Sequence, residues 1–173
     1  AVRVRASLLS PEGDVLSSKE AEVPEVSGAR KVELQFESLE LPQLWSPDSP
    51  SLYRVVAELL GKDDAVMHRV SESFGYRWFE MRPQQGFFLN GERLLIRGTH
   101  RHEEHAGLGA ALSNEQHRKD MQMIKDLGAN FVRLGHYPQD PEVYRAADEL
   151  GLIVWDELPW CRGGKGGAEW EQN

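Results

Sequence analysis

Hydrophobic and polar residues alternate with a period of two at the start of the chain. Between residues 2 and 8, the apolar side chains share one face and the polar ones the other, which is typical of a half-buried strand. The same reading predicts strands at residues 15–23, 32–36, 52–60 and 65–77, with Gly61-Lys62-Asp63-Asp64 as one of the turns. Such closely spaced strands predict a β-sandwich over residues 1–80. No group of catalytic residue types stands out in it, so we expect a structural module.

The hydrophobic period changes in the second half, residues 81–173. Asn90-Gly91 lies between the apolar runs 87–89 and 94–96, and this dipeptide favours tight hairpin turns because both of its residues tolerate positive φ. Ser113 then fits the N-cap of a helix with Gln116 three residues further on. Met121, Ile124 and Leu127 form its apolar stripe, and Gly128 ends it.

A second α/β unit follows directly. Residues 130–134 form a short apolar strand, and Asp140-Pro141 fits an N-cap followed by proline at the first helical position. Gly151 ends this helix, and the wholly apolar residues 152–155 predict a buried strand. The order βαβαβ predicts a parallel sheet.

Composition and charge exclude several classes of function. The chain has 173 residues and a net charge of −8, which argues against a phosphate-binding surface and so against a nucleic-acid partner. No apolar run approaches the roughly 18 residues of a membrane span. The single cysteine, Cys161, excludes an intrachain disulfide and a cysteine-based zinc cluster. The chain opens in mid-strand without methionine, so we expect the first domain to be truncated at its N-terminus and the compartment to stay undetermined. The second domain is expected to be truncated at its C-terminus.

Polar residues follow each of the three predicted parallel strands. In α/β folds, functional groups gather at the carboxyl ends of the strands. The candidates after residue 96 are Arg97, His100, Arg101, His102, Glu103, Glu104 and His105; those after residue 132 are Arg133, His136 and Tyr137; and those after residue 155 are Asp156, Glu157 and Trp160.

Three interpretations of these clusters stay open. His100, His102 and His105 would bind zinc if His136 or Asp156 completed the site, although their spacing differs from the helical His-Glu-x-x-His pattern. The histidines would otherwise form hydrogen bonds among themselves and their neighbours, or contact a substrate rich in hydroxyls.

The tryptophans in the last stretch have two readings. Trp160 is either a platform for a sugar ring or a core residue, and Trp155 is expected in the core.

Several segments resemble family 2 glycoside hydrolases. The motif Asn130-Phe131-Val132-Arg133-Leu134-Gly135-His136-Tyr137-Pro138, with residues 143–155 after it, resembles the family signature, although Leu134-Gly135 replaces a pair of small or polar residues. Residues 97–103 look like the first strand and loop of its barrel. Leu44-Trp45-Ser46-Pro47, Ser51-Leu52-Tyr53 and Phe74-Gly75-Tyr76-Arg77 are similar to its immunoglobulin-like domain. The resemblance implies an immunoglobulin-like β-sandwich (1–80) followed by the first three β/α units of a TIM (β/α)8 barrel (81–173).

The resemblance also implies an activity and a binding site. The parent protein would be a retaining exo-β-glycosidase, first a β-galactosidase, with β-glucuronidase and β-mannosidase as alternatives. Its carbohydrate substrate would be contacted through the hydroxyls by His102 and His136, with Arg133 supporting the nucleophilic carboxylate. Asp156, Glu157 and Trp160 would also belong to the substrate side.

Cofactor, assembly and compartment are less defined. The Glu-Thr-His magnesium segment of some β-galactosidases is not matched after Glu157, so no cofactor or metal site is evident, although magnesium occurs in the family. A homo-oligomer of the full-length protein stays open, as do bacterial cytoplasm, periplasm and secretion.

The family's two catalytic glutamates have no match before Asn173. We therefore expect the acid/base and the nucleophile beyond Asn173, and no glycosidase activity from the 173 residues alone. A metal-dependent hydrolase and a non-catalytic carbohydrate-binding module are the remaining alternatives.

Overall fold

The computed structural model describes residues 2–23, 28–29 and 31–159. The chain divides into two compact units. Unit 1 comprises Ala1–Trp45 with Ser51–Arg77, and unit 2 comprises Ser46–Pro50 with Trp78–Asn173. The strands are β1 (Val2–Leu9), β2 (Val15–Val23), β3 (Trp45–Ser46), β4 (Ser49–Pro50), β5 (Tyr53–Leu60), β6 (Val66–Phe74), β7 (Phe79–Arg82), β8 (Gly86–Leu89), β9 (Glu92–Arg93), β10 (Gly98–Arg101), β11 (Phe131–Leu134) and β12 (Ile153–Trp155); the helices are α1 (Asn114–Asp126) and α2 (Pro141–Leu150).

Unit 1 is built on a four-stranded antiparallel sheet in the order β2-β1-β5-β6. The predicted turn at residues 61–64 is confirmed, because the Asp64 amide donates to the Gly61 carbonyl at 3.2 Å and Asp64 has a φ of 64°. Ala6, Leu8 and Tyr53 are buried on one face of this sheet, as the period of two predicts for β1, whereas Leu60 is buried on the other face, opposite Arg3.

The strand predicted at residues 32–36 is wrong. Residues 31–39 form no strand, although Val32, Leu34 and Phe36 are half-buried and the residues between them are exposed. The alternation therefore identified which side chains are covered, but a strand also requires a backbone partner.

Glu58 connects three strands of the unit 1 sheet. It lies opposite Arg5 in β1 and Arg69 in β6 in the register of the sheet. One carboxylate oxygen accepts hydrogen bonds from Nε and Nη2 of Arg5 at 2.9 and 2.6 Å. The other accepts from Nε of Arg69 at 2.8 Å. The hydrogen bonds from Arg5, followed by those from Arg69, hold the pKa of Glu58 below its ordinary value.

Unit 2 begins with a small antiparallel sheet in the order β7-β8-β9. The predicted turn is confirmed, because Asn90 and Gly91 have φ values of 53° and 86°. The expectation that residues 94–96 form the first parallel strand is wrong. That strand is β10, a few residues later, so Arg97 precedes it and His100 and Arg101 lie within it.

The α/β part of unit 2 has the predicted βαβαβ order and a parallel sheet, β10-β11-β12. Alternate residues of β11 face opposite ways. Val132 and Leu134 are fully buried in a core shared with the two helices, whose other members are Met121, Ile124, Ala129, Val143, Ala146, Ala147 and Leu152. Burial of each large apolar side chain contributes roughly 1.5–3 kcal/mol. Leu134 thus fills the core at the position where the family motif usually has a small or polar residue.

The helix ends agree with the sequence. The Ser113 hydroxyl accepts from the Gln116 amide at 3.3 Å, and the Asp140 carboxylate accepts from the Glu142 amide at 2.8 Å. Gly151 ends α2 at a φ of 72°, and a Cβ there would lie 2.5 Å from the Pro47 carbonyl oxygen, so glycine is required.

Two predicted core positions are wrong. Leu127 is the C-cap of α1 and is 80% exposed, because the helix ends at Asp126 and Leu127 lies beyond its buried face. Trp155 is 60% exposed, because it projects from the sheet on the side away from the helices. No helix in the described part of the chain is long and apolar enough to cross a membrane.

Candidate functional site

The carboxyl ends of β10, β11 and β12 lie side by side. The register pairs Arg133 with His100 on one side and with Trp155 on the other. Residue 132 and residue 134 point into the helix-covered core, so residue 133 and its cross-strand neighbours point to the opposite face of the sheet. In a barrel this face is the interior, and active sites lie at the carboxyl ends of the strands.

His102 and His136 meet at this end of the sheet. Each follows the end of one of two adjacent parallel strands, and their ring centroids are 5.2 Å apart in an edge-to-face arrangement. The ring of His100 also contacts that of His102, with a centroid distance of 5.8 Å. The structure thus brings together the two histidines that the sequence proposed as sugar contacts.

Glu157 follows β12 and bridges two residues of the β11 end. Its Oε1 accepts a hydrogen bond from Nε of Arg133 at 2.6 Å, and its Oε2 lies 2.8 Å from Nδ1 of His136. The Arg133 hydrogen bond, followed by that of His136, holds the pKa of Glu157 below its ordinary value. The carboxylate of Glu157 is therefore ionised at neutral pH. We call the group of Arg133, His136 and Glu157 the mouth cluster.

A buried polar network connects β10, α1 and the segment after β11. Arg101, whose side chain is 5% exposed, donates to Asp120 at 2.8 Å and to the amide oxygen of Gln139 at 2.6 Å. Its Nη2 also lies 3.0 Å from Nδ1 of His117. Gln139 donates back to the Arg101 carbonyl at 2.9 Å. These bonds join the end of β10, helix α1 and the segment after β11, which carry His102 and His136 between them.

Glu103 makes the second connection between these segments. Its carboxylate accepts from the Asp140 amide at 2.8 Å, and its own amide donates to the Tyr137 hydroxyl at 3.1 Å. The residue after His102 and the residue after His136 are thereby held to one another.

Asp156 takes a different direction from its neighbour Glu157. Its carboxylate accepts a hydrogen bond from the Tyr144 hydroxyl at 3.0 Å. That hydroxyl in turn accepts one from the backbone N–H of Gln139 at 3.0 Å. Burial is the main cause that raises the pKa of Tyr144. Asp156 is exposed and anchors the segment after β12 to α2.

The other candidates are more dispersed. His105 lies in an isolated antiparallel bridge with Gly109, and Trp160 falls outside the described residues. Within residues 2–23, 28–29 and 31–159, no three His, Cys, Asp or Glu groups are arranged to hold a metal ion.

Sequence reasoning missed the supporting residues His117, Gln139 and Tyr144. His117 and Tyr144 stand in helices, and Gln139 stands in a loop, so their contacts follow from the packing of distant segments.

Two family models match the chain in succession. The model described as "Glycosyl hydrolases family 2" matches residues 1–77, and "Glycosyl hydrolases family 2, TIM barrel domain" matches residues 79–164. The chain belongs to glycosyl hydrolase family 2. The expected immunoglobulin-like β-sandwich followed by the start of a TIM barrel is confirmed. The boundary at residues 80/81 stays a prediction.

Solved structures of family 2 enzymes resemble the chain over nearly its whole length. β-Glucuronidase 3 of Bacteroides uniformis is 49% identical, with a TM-score of 0.83, and the match covers 98% of this chain and 20% of that one. The β-glucuronidase of Parabacteroides merdae is 39% identical, with a TM-score of 0.83 and coverages of 99% and 21%.

The curated relatives of family 2 include a second specificity. A β-galactosidase of Thermoanaerobacter pseudethanolicus is 33% identical over 158 residues, which are 91% of this chain and 21% of that protein. The chain spans between 11% and 21% of the length of the curated relatives it matches.

Proposed function

We propose that the protein is a retaining exo-β-glycosidase that releases a terminal β-D-glucuronic acid residue. A β-galactoside is the second candidate substrate, and it was the first choice from the sequence. The observation that carries the glycosidase proposal is the meeting of His102, His136 and Arg133 at the carboxyl ends of β10 and β11. The preference for a glucuronide rests on the β-glucuronidases that match 98–99% of the chain.

Each proposed role agrees with the placement of its side chain. Imidazole nitrogens of His102 and His136 suit sugar hydroxyls, which both donate and accept hydrogen bonds. The Arg133 guanidinium lies on the interior face of the sheet, where a fixed positive charge would stabilise a nucleophilic carboxylate and the negative charge that returns to it when the glycosyl bond breaks.

Asp156 and Glu157 have more indirect roles in this proposal. Both carboxylates already accept hydrogen bonds from protein side chains, Tyr144 and Arg133 respectively. They shape the substrate side of the site by holding other residues.

The test is hydrolysis of nitrophenyl glycosides by the complete gene product. We expect the β-D-glucuronide to be cleaved with the highest kcat/KM, and the β anomer to be the first product in proton NMR because the mechanism is retaining. Highest activity on the β-D-galactoside would select the second candidate. Cleavage of none of the β-D-glucuronide, galactoside and mannoside would contradict the proposal.

Matched variants assign the site. His102→Ala and His136→Ala should each lower kcat/KM about 100-fold, because each removes a hydrogen bond to the transition state. His68→Ala is the control, because His68 is an exposed histidine of β6 in unit 1. Equal activity of all three variants would remove both histidines from the site.

The 173-residue chain alone should not turn over these substrates. A retaining glycosidase needs two carboxylates roughly 5–5.5 Å apart, one of them free to attack the sugar. Glu157, the carboxylate of the mouth cluster, is engaged by Arg133 and His136. Turnover by the isolated chain that disappears in Glu157→Gln would contradict this expectation.

A further inference from the structure

Glu157 uses both of its carboxylate oxygens within the mouth cluster. Oε1 receives Nε–H of Arg133 at 2.6 Å, and Oε2 faces Nδ1 of His136 at 2.8 Å. The Glu157 side chain is 21% exposed, whereas those of His136 and Arg133 are 33% and 39% exposed. An incoming sugar therefore meets the arginine and the histidine more readily than the carboxylate between them.

The proton on His136 follows from what each neighbour can donate. The Glu157 carboxylate is an acceptor only, and at 2.8 Å a bare Nδ1 would place two lone pairs against each other. Nδ1 must therefore carry the proton and donate it to Oε2. Nη2 of Arg133, 3.1 Å from Nδ1, is also a donor, so that approach is a contact of two donors held by the same carboxylate and not a hydrogen bond.

This assignment determines what His136 offers to a ligand. In the neutral ring with hydrogen on Nδ1, Nε2 is a hydrogen-bond acceptor. An acceptor matches the O–H of a sugar hydroxyl and repels a carboxylate oxygen. A uronic acid carboxylate would therefore have to bind elsewhere in the site.

We propose that Glu157 is a positioning residue: it keeps His136 in the Nδ1-protonated tautomer, so that Nε2 accepts a hydrogen bond from a hydroxyl of the bound sugar. The inference rests on the proposed function for the identity of the ligand. The tautomer itself rests only on the geometry of the mouth cluster.

Glu157→Gln is the decisive substitution because it reverses the tautomer. Arg133 requires an acceptor, so the glutamine oxygen should face Nε of Arg133 and its NH2 group should face Nδ1 of His136. Nδ1 then becomes the acceptor and Nε2 becomes the donor. The shape and the volume of the side chain are nearly unchanged.

Substrates with one hydroxyl replaced by fluorine read out this reversal in the complete gene product. Fluorine is a weak acceptor and cannot donate, so the wild type should lose about tenfold in kcat/KM at the ring position that His136 reads. Glu157→Gln should lose much less at that same position. The 3-deoxy-3-fluoro and 4-deoxy-4-fluoro glycosides test two ring positions. Comparing the two enzymes on the same fluorinated glycoside cancels the inductive effect of fluorine, since it acts equally in both enzymes.

The matched control is Glu58→Gln, which changes the other bridging carboxylate to an amide in unit 1. It should leave the ratio of parent to fluorinated substrate as in the wild type. An unchanged ratio at both positions in Glu157→Gln would overturn the proposal.

A second measurement does not depend on turnover. With 15N-labelled histidine, solid-state NMR distinguishes a protonated from a bare ring nitrogen, and His136→Asn identifies the signal. We expect a protonated Nδ1 and a bare Nε2 in the wild type, and the reverse in Glu157→Gln. A bare Nδ1 or a protonated Nε2 in the wild type would overturn the proposal even if no glycoside is cleaved, whereas a protein without glycosidase activity and with the expected signals would overturn only the proposed function.

Discussion

Glu58 in unit 1 and Glu157 in unit 2 are chemically alike and differ in their surroundings. Each carboxylate accepts hydrogen bonds from two cationic or cation-forming side chains, and in each the pKa is held below its ordinary value by an arginine first. Glu58 lies in mid-strand, directly opposite Arg5 and Arg69. Glu157 lies beyond the end of β12 and holds side chains of the β11 end.

The difference shows how position gives the same interaction two consequences. In mid-sheet, the bridging carboxylate joins three strands, so it contributes to the stability of the sheet. At the carboxyl ends of the parallel strands, the carboxylate of Glu157 orients the side chains of Arg133 and His136, which remain partly exposed to a ligand. Substitutions in the two clusters should therefore separate into effects on stability and effects on activity.

The largest effect on stability should come from Arg101, a charge buried in unit 2 outside the mouth cluster. Arg101→Met leaves Asp120 without its cation, and such a break in a buried pair costs about 3 kcal/mol or more. Hydrogen exchange of α1 amides in the complete gene product should accelerate roughly 100-fold. Arg145→Met is the control, because Arg145 is 60% exposed and pairs with Glu142. Equal exchange in both variants would contradict the expectation.

Next, Arg133→Ala should affect turnover more than stability. If Arg133 stabilises charge in the transition state, kcat should fall about 100-fold to 1,000-fold with a smaller change in KM. Arg69→Ala, which removes an arginine from the equivalent position beside Glu58, should leave kcat and KM near the wild type. A rise in KM with an unchanged kcat would show that Arg133 binds the substrate and the transition state equally.

A smaller effect should appear in the pH dependence of unit 1. The pKa of Glu58 is lowered on folding, so its contribution to stability is complete above the ordinary value of 4.5 and is lost as the pH falls below it. After division by the intrinsic exchange rate, which itself falls with pH, the opening of β5 amides should increase between about pH 5 and about pH 3, and less steeply in Glu58→Gln. Parallel curves for the two proteins would show that Glu58 does not contribute.

The smallest effect should distinguish the two arginines beside Glu58. The Arg69 side chain is 61% exposed and that of Arg5 is 37% exposed, so Arg69 is the more strongly screened by water. Arg69→Ala should raise the exchange rate of β5 amides less than about fivefold, and Arg5→Ala should raise it more. The reverse order would mean that exposure does not govern these pairs.

Much of the local structure could be predicted from the sequence. Turns and caps depend on residues next to one another, so Asn90-Gly91, Ser113, Asp140-Pro141 and Gly151 were assigned correctly. The alternation also indicated which face of β1 is covered. It could not show that residues 31–39 lack a strand partner, because pairing depends on distant backbone.

The sequence by itself determined the family, the βαβαβ order of the second half, and the polar residues that follow β11 and β12. Only the tertiary structure decided that His102 and His136 come within 5.2 Å of one another. It also decided that Glu157 turns to Arg133 and His136 while Asp156 turns to Tyr144. The physical reason is that periodicity encodes which side of an element is buried, whereas the partner of a polar side chain depends on the register between strands that are far apart in the chain.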